Sequence, residues 1–134
     1  MPQFRISEAA GLLGVSDDTL RRWIDQGVIE ATLDDAGRKV VDGVDLAALA
    51  TREATALDDP SGVERSARNT FVGIVTKVTA DTVMAQVEIQ SGPHRVVSLM
   101  SSEAVRELGL EPGSLAVAVV KATQVIVETP RGRQ

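Results

Sequence analysis

Residues 83–90 read Val-Met-Ala-Gln-Val-Glu-Ile-Gln, a stretch in which apolar and polar side chains alternate. Because successive side chains of a strand point to opposite faces, the odd-numbered residues, from Val83 to Ile89, share one apolar face. Gln86 and Glu88 lie on the other face. This period of two predicts a half-buried β-strand. The same period, rich in Val, Thr and Ile, begins near residue 66 and predicts a C-terminal half made of strands.

Five strands and one helix are predicted in this half. The strands cover residues 70–79, 83–90, 95–100, 114–120 and 124–128. The helix begins with Ser102 as its N-cap and runs to Leu108, where Gly109 ends it. A β-β-β-α-β-β order of this length fits a small OB-type barrel of five strands, in which the helix falls between the third and fourth strands.

The N-terminal half has the period of helices instead. Ser7 is the predicted N-cap of a helix that runs to Leu13, and Ser16 is the predicted N-cap of a second helix over residues 17–26. The turn between them is short, and two helices joined in this way have helix-turn-helix geometry. An apolar stripe on the second helix faces the core, and Arg21 and Arg22 lie off that stripe.

A hairpin and a further helix complete this half. Residues 30–41 predict a hairpin with its turn at residues 34–37 and the basic pair Arg38-Lys39 just after the turn. A helix is predicted from Asp42 onward. The run Asp-Asp-Pro-Ser-Gly at residues 58–62 then predicts a linker between the halves. The overall fold class expected is α+β in two domains.

Charge divides at the same place as the hydrophobic period. The whole chain of 134 residues has a net charge of −5. Residues 1–65 carry 7 Lys/Arg against 13 Asp/Glu, whereas residues 66–134 carry 7 against 6. The excess acid therefore lies in the helical half, where it opposes nucleic-acid binding unless the local field over one face is positive.

Composition excludes several classes of protein. The chain has no cysteine and one histidine, His94, so thiolate metal sites, disulfides and Ser/His/Asp triads are not expected. No paired His/carboxylate spacing suggests a metal site. The sequence shows neither an apolar run long enough for a membrane span nor a secretory signal, so we expect a cytoplasmic protein that has no membrane partner. No catalytic constellation is present, and an enzyme is not expected.

The N-terminal motifs resemble a known DNA-binding family. The half contains Phe-Arg-Ile-Ser-Glu-Ala-Ala-Gly-Leu-Leu-Gly-Val-Ser at 4–16, Thr-Leu-Arg-Arg-Trp at 19–23 and Gly-Arg-Lys at 37–39. This order resembles the winged helix-turn-helix of the MerR and excisionase families. The resemblance implies that the second helix is a recognition helix and that the hairpin is a wing which contacts double-stranded DNA. The DNA-binding residues expected from it are Ser16, Thr19, Arg21, Arg22, Arg38 and Lys39.

The C-terminal motifs resemble a second family. They include Ser-Ala-Arg-Asn at 66–69, Val-Ser-Leu at 97–99 and Val-Val-Lys-Ala-Thr at 119–123. Together they resemble the molbindin (Mop or TOBE) domain, which binds the oxyanions molybdate or tungstate. The resemblance implies a site between two copies of the chain, and hence a homo-oligomer from a dimer up to a hexamer. The oxyanion-binding residues expected are Ser66, Ala67, Arg68, Asn69, Ser98, Lys121, Ala122 and Thr123.

The chemistry of molybdate agrees with this donor set. Molybdate is a tetrahedral dianion without a proton to donate, so its site needs hydrogen-bond donors and positive charge. Hydroxyl groups at Ser66, Ser98 and Thr123, backbone amides near Arg68 and the ammonium of Lys121 supply these.

Two functions follow from the paired resemblances. The chain is expected to be a molybdate-responsive transcriptional regulator, with a DNA-binding domain over 1–53, a linker over 54–65, an oxyanion-binding domain over 66–129 and a disordered tail over 130–134. The alternative is an intracellular molybdate-storage oligomer whose helix-turn-helix serves protein contacts. The net negative charge of the helical half favours the storage function. The basic pairs Arg21-Arg22 and Arg38-Lys39 favour the regulator.

Overall fold

The computed structural model describes residues 2–54, 60–62 and 67–130. The described residues divide into two compact units, one built mainly from residues 2–54 and the other from residues 67–127. The predicted linker and tail lie largely outside the described residues, as does Ser66.

Three helices and a three-stranded sheet form the first unit. The helices are α1 (Ile6–Leu13), α2 (Asp17–Asp25) and α3 (Gly43–Glu53), and the strands are β1 (Gln3–Arg5), β2 (Thr32–Leu33) and β3 (Lys39–Asp42). The sheet is antiparallel with the order β1-β3-β2. Strands β2 and β3 form the predicted hairpin, whose turn lies at residues 34–37.

The helix ends in this unit follow from short-range hydrogen bonds. The Ser16 side chain accepts a hydrogen bond from the Thr19 amide at 3.1 Å and so caps α2, as predicted. The predicted cap at Ser7 is wrong. Helix α1 begins at Ile6, and its N-cap is Arg5, which has extended backbone and no side-chain capping bond. Arg5 is still paired with Val40 in the sheet, so the chain passes directly from strand to helix.

The second helix is also slightly shorter than the predicted 17–26. It ends at Asp25, and Gln26 is the C-cap. Gly27 follows with φ of 77°, a left-handed conformation that favours glycine and stops the helix from continuing.

The hydrophobic core of this unit is formed by its own helices and strands. Leu20, Leu49 and Val41 are fully buried, and they pack with residues from α1 and with Ile29. Trp23 is half-buried against this cluster, so its ring is a core side chain. Asp42 caps α3 by accepting hydrogen bonds from the amides of residues 44 and 45.

Four strands and one helix make up the second unit. The strands are β4 (Asn69–Ala80), β5 (Met84–Ser91), β6 (His94–Ser101) and β7 (Leu115–Val120), and the helix is α4 (Ser102–Leu108). The sheet is antiparallel in the order β6-β5-β4-β7, and a 3₁₀ helix (Ala122–Gln124) follows β7. Together the two units give the predicted α+β class, and within the described residues no helix is both long and apolar enough to cross a membrane.

Alternation on β5 gives the core of the second unit. Ala85, Val87 and Ile89 are buried and pack against Val75 and Val105. Val83 departs from the prediction because it precedes β5, in a turn where its amide donates to the Asp81 carboxylate, and its side chain is exposed.

The predicted N-cap of the last helix is also wrong by one residue. Ser101 caps α4, its side chain accepting a hydrogen bond from the Ala104 amide at 3.1 Å. Ser102 is buried, and its hydroxyl donates to the Asp81 carbonyl oxygen at 2.7 Å, which ties the helix to the turn before β5.

The predicted fifth strand is not formed. Residues 125–128 have no strand partner among the described residues, and the side chains of Ile126 and Val127 are each 86% exposed. The alternation of this segment favours a strand, but a strand forms only where another edge accepts its backbone hydrogen bonds. The second unit is therefore a four-stranded sheet of the OB-like type with two unpaired edges, β6 and β7.

Candidate functional site

Two of the segments predicted to bind an oxyanion meet at one end of the second unit. Asn69, at the start of β4, pairs with Val120, at the end of β7. The Asn69 side-chain amide donates to the Val120 carbonyl oxygen at 3.1 Å and fastens the two strand ends together. The half-buried Ala67 and the exposed Arg68 therefore lie beside the segment that begins at Lys121.

The segment after β7 presents donors to solvent. Lys121, Ala122 and Thr123 are all exposed, and the 3₁₀ helix that starts here closes with a hydrogen bond from the Gln124 amide to the Lys121 carbonyl at 2.9 Å. The first amides of such a helix have no acceptor within it. An ammonium, a hydroxyl and two backbone amides are thus grouped in three consecutive residues, and this set is suited to an anion.

Ser98 lies on the other edge of the sheet. It is half-buried on β6 and pairs with Val87 of β5, whereas Lys121 follows the opposite edge strand, β7. Ser98 lines an apolar groove bounded by both edge strands, with Val96 and Met100 on one side and Ala116 and Ala118 on the other. The structure therefore groups the segments at 67–69 and 121–123 and places Ser98 in the adjoining groove.

Three of the four DNA-binding residues predicted at α2 already make a contact within or beside the helix. The Ser16 hydroxyl donates to the Thr19 hydroxyl at 3.0 Å in addition to capping the helix. Arg21 lies 3.6 Å from the Asp18 carboxylate, and both side chains are exposed, so the pair contributes little to stability. Arg22 is exposed and has no ion pair among the described residues.

The wing carries a second ion pair. The Arg38 Nε atom lies 3.3 Å from the Asp34 carboxylate, which is mostly shielded from solvent. Lys39 is exposed on β3 and makes no ion pair with any residue that the structure describes. The sequence signal for this aspartate is its position three residues before Gly37, which is typical of a turn-closing aspartate.

Within residues 2–54, 60–62 and 67–130, no cluster of three His, Asp or Glu side chains is placed to hold a metal ion.

Each unit matches a family model. The model of the TOBE domain matches residues 65–127, and that of the MerR family regulatory protein matches residues 5–40. Molybdenum-pterin-binding protein 2 of Clostridium pasteurianum is 36% identical over 63 residues, which are 46% of this chain and 93% of that protein. The chain belongs to the TOBE-domain family.

Two further relatives each match about half of the chain. The probable molybdenum-pterin-binding protein of Haemophilus influenzae is 44% identical over 63 residues, 46% of this chain and 91% of that protein. The molybdenum transport protein ModE of Herbaspirillum seropedicae is 32% identical over 68 residues, and the match spans half of this chain but only 25% of ModE.

A solved structure supports the fold of the TOBE domain. The cytoplasmic molybdate-binding protein ModG, in a form with molybdate bound, superposes with a TM-score of 0.50 at 41% identity. The superposition covers 54% of this chain and 52% of ModG. These relatives are named for molybdenum-pterin binding, molybdate binding or molybdenum transport, whereas the word regulatory belongs to the family model that matches residues 5–40.

Proposed function

We propose that the protein is a DNA-binding transcriptional regulator that responds to molybdate or tungstate. The observation that carries the proposal is the donor cluster at residues 67–69 and 121–123, in a TOBE domain attached to a MerR-like helix-turn-helix unit. Two relatives that align over nearly their whole length with 63 residues of this chain are named as molybdenum-pterin-binding proteins. In this proposal the TOBE domain binds the oxyanion, and the N-terminal unit binds DNA.

The donor cluster explains the choice of ligand. In this proposal the Lys121 ammonium supplies positive charge and the Thr123 hydroxyl and nearby amides supply hydrogen bonds. An oxyanion that is fully deprotonated at neutral pH accepts from all of them and donates to none. Hydrogen bonds to a charged group contribute about 1.5–3 kcal/mol each. Ser66 and Ser98 add further hydroxyl donors in the proposed site.

A second copy of the chain completes the site. The donors of one chain lie on an exposed surface, and a weakly enclosed oxyanion keeps most of its water. The groove between β6 and β7 is apolar, and the segment of residues 125–127 is apolar, exposed and without a strand partner. In the proposal this segment of one copy covers the groove of another, which brings Ser98 near the anion and couples ligand binding to assembly.

Assembly then controls DNA binding. A lone N-terminal unit with net negative charge binds phosphates weakly, so two units must engage together. The two half-sites on the DNA must lie about 34–36 Å apart, or a multiple of this distance, for both N-terminal units to reach the major groove. Molybdate shifts the equilibrium between two assemblies only by the difference in its affinity for them.

Calorimetry tests the ligand. The full chain is titrated with molybdate, tungstate and sulfate, and the same is done with Lys121→Ala and with Lys77→Ala, an exposed lysine in the middle of β4. We expect the Kd for molybdate to rise about tenfold or more in Lys121→Ala, which corresponds to about 1.4 kcal/mol, and to stay unchanged in Lys77→Ala. The absence of heat with every oxyanion, or an unchanged Kd in Lys121→Ala, would remove the site.

The second candidate function is an intracellular molybdate store. It is favoured by the acidic N-terminal unit and by the ion pairs that occupy Arg21 and Arg38. The two functions differ in their salt dependence of DNA binding. A regulator loses affinity for its own upstream DNA steeply as salt rises, and the double change Arg21→Ala/Arg22→Ala abolishes that binding. Binding that is absent with and without molybdate would leave the store as the function.

A further inference from the structure

The turn of the wing is closed by one carboxylate. One oxygen of Asp34 accepts hydrogen bonds from the Ala36 amide and the Arg38 amide, each at 2.9 Å. The Asp34 amide in turn donates to the Arg38 carbonyl oxygen at 2.8 Å, and the Gly37 amide donates to the Asp34 carbonyl oxygen at 2.9 Å. Asp34 therefore holds the backbone on both sides of the turn.

The second oxygen of the same carboxylate holds a side chain. It accepts a hydrogen bond from the Arg38 Nε–H group at 3.3 Å. A guanidinium has five N–H donors, so this bond leaves four for another acceptor. The Arg38 side chain remains half exposed, and Asp34 is 20% exposed. Arg38 is thus restrained at one nitrogen and open at the others.

The neighbouring carboxylate is a natural control. Asp35 lies in the same turn and is exposed, and its side chain makes no hydrogen bond or ion pair with the residues that the structure describes. Both aspartates put one negative charge near the basic pair Arg38-Lys39. If charge alone mattered, both would repel a DNA phosphate to a similar extent.

We propose that Asp34 is a positioning residue for DNA: it fixes the wing turn and the Arg38 guanidinium so that Arg38 and Lys39 meet the phosphate backbone. The proposal rests on the DNA binding proposed above. In physical terms, an acidic residue in a DNA-contacting loop increases affinity here because the arginine side chain is already ordered in the free protein. Less conformational entropy is then lost when DNA binds. Asp35, with the same charge and no such bonds, decreases affinity.

The test compares three variants of the full chain. Asp34→Ala, Asp34→Asn and Asp35→Ala are titrated with a fluorescent duplex of random sequence, because phosphate contacts do not depend on sequence. Affinity is measured over a range of salt concentrations. We expect Asp34→Ala to weaken binding about fivefold and to reduce the salt slope by about one, as for the loss of one phosphate contact. Asp35→Ala strengthens binding and leaves the slope unchanged or steeper.

The asparagine variant separates the turn from the restraint on Arg38. An asparagine side-chain oxygen still accepts from the two turn amides, but its NH2 group cannot accept from the Arg38 Nε–H group. We therefore expect Asp34→Asn to bind DNA more tightly than Asp34→Ala and more weakly than the unchanged protein. Amide hydrogen exchange without DNA gives an independent readout: Ala36 and Arg38 exchange faster in Asp34→Ala and nearly normally in Asp34→Asn.

Two results would overturn the proposal. One is an increase of affinity by the same factor in Asp34→Ala and Asp35→Ala, with an unchanged salt slope, which makes Asp34 only a repelling charge. The other is unchanged amide exchange at Ala36 and Arg38 in Asp34→Ala. Salt-independent or absent binding by the unchanged protein is a different result, because it contradicts the proposed regulator function as well.

Discussion

The two units of the chain treat their apolar side chains differently. Of the fifteen large apolar side chains exposed among the described residues, eleven lie in the TOBE unit and four in the MerR-like unit. The MerR-like unit buries its apolar stripe within its own three helices, whereas the TOBE unit leaves apolar side chains outward on both edge strands. Examples are Leu99 on β6 and Leu115 on β7.

The MerR-like unit covers most of its apolar side chains by itself, whereas the TOBE unit leaves an apolar surface exposed. Exposed apolar edge strands are unusual in a monomer because they pair with other chains. The MerR-like unit forms its hydrophobic core within one chain, and side chains cap its second and third helices. It therefore needs no second copy to cover its apolar side chains. The TOBE unit has an open sheet and an unpaired apolar segment, features that fit assembly with a second copy.

The largest effect is expected from a charge in the unpaired segment. Ile126→Asp places a carboxylate on a side chain that is 86% exposed in the single chain. If that side chain is buried in an assembly, the unpaired charge is too costly to desolvate, and the assembly dissociates to monomers. Sedimentation velocity of the full chain measures this directly.

A matched change in the other unit provides the control. Leu12 is also exposed, at 62%, on α1 of the MerR-like unit. Leu12→Asp is expected to leave the mass unchanged. The comparison breaks down if both variants dissociate or if neither does.

The next effect concerns two glycines, one in each unit. A Cβ atom on Gly73 would lie 2.3 Å from the Gln90 carbonyl oxygen, because β4 and β5 approach closely there. Gly73→Ala is expected to lower the free energy of unfolding by about 1–3 kcal/mol, or more if the backbone cannot shift. Gly11, within α1, has no atom within 4 Å of such a Cβ.

Gly11→Ala is therefore expected to stabilise the MerR-like unit by about 0.5–1 kcal/mol, because alanine loses less backbone entropy in a helix. Denaturant unfolding of both variants gives the two free energies. If the free energy of unfolding of Gly73→Ala equals that of the unchanged protein, β4 and β5 are farther apart at this position than the structure has them.

The smallest effect is on acid stability, and it is shared by the units. The Arg38 amide is the main cause that lowers the pKa of Asp34 below its ordinary value, and the Met84 amide, followed by the Val83 amide, does the same for the pKa of Asp81. A carboxylate whose folded-state pKa is lowered stabilises the fold above its unfolded pKa, and that contribution is lost as the pH falls through the folded pKa. Acid therefore weakens the wing turn and the turn before β5.

Carboxyl NMR titration of the full chain checks this. The Asp34 and Asp81 resonances are expected to titrate below the ordinary range for aspartate. Asp81→Asn and Asp34→Asn should each flatten the dependence of stability on pH in this acid range. Ordinary midpoints for both groups would mean that the turn amides do not bind these carboxylates in solution.

Local patterns predicted most of the elements but not their partners. Alternation located β4, β5, β6 and β7, and serine and glycine located the helix ends to within two residues. Where two serines stand together, as at Ser101 and Ser102, the choice of cap depends on a distant acceptor, the Asp81 carbonyl, which a local pattern does not contain. Alternation at 124–128 likewise describes a strand-forming segment and says nothing about which edge it joins.

The candidate site shows the same limit. The resemblance to the molbindin domain implied that residues 66–69 and 121–123 contribute to one site between two copies. Within one chain, the register of Asn69 with Val120 places the described part of these segments side by side. The tie from the Asn69 side chain to the Val120 carbonyl and the double role of Asp34 in the wing were not predictable, because both depend on side-chain geometry across a turn or a strand pair.

In the proposed function, the binding of one oxyanion controls both the assembly of the chains and their binding to DNA. Sedimentation velocity of the full chain, mixed with a labelled duplex from its own upstream region, is followed while molybdate is titrated. We predict that protein mass and DNA-bound fraction change over the same range of molybdate concentration, and that neither changes in Lys121→Ala. Molybdate binding that leaves both the mass and the DNA-bound fraction constant would show that the oxyanion does not couple assembly to DNA binding.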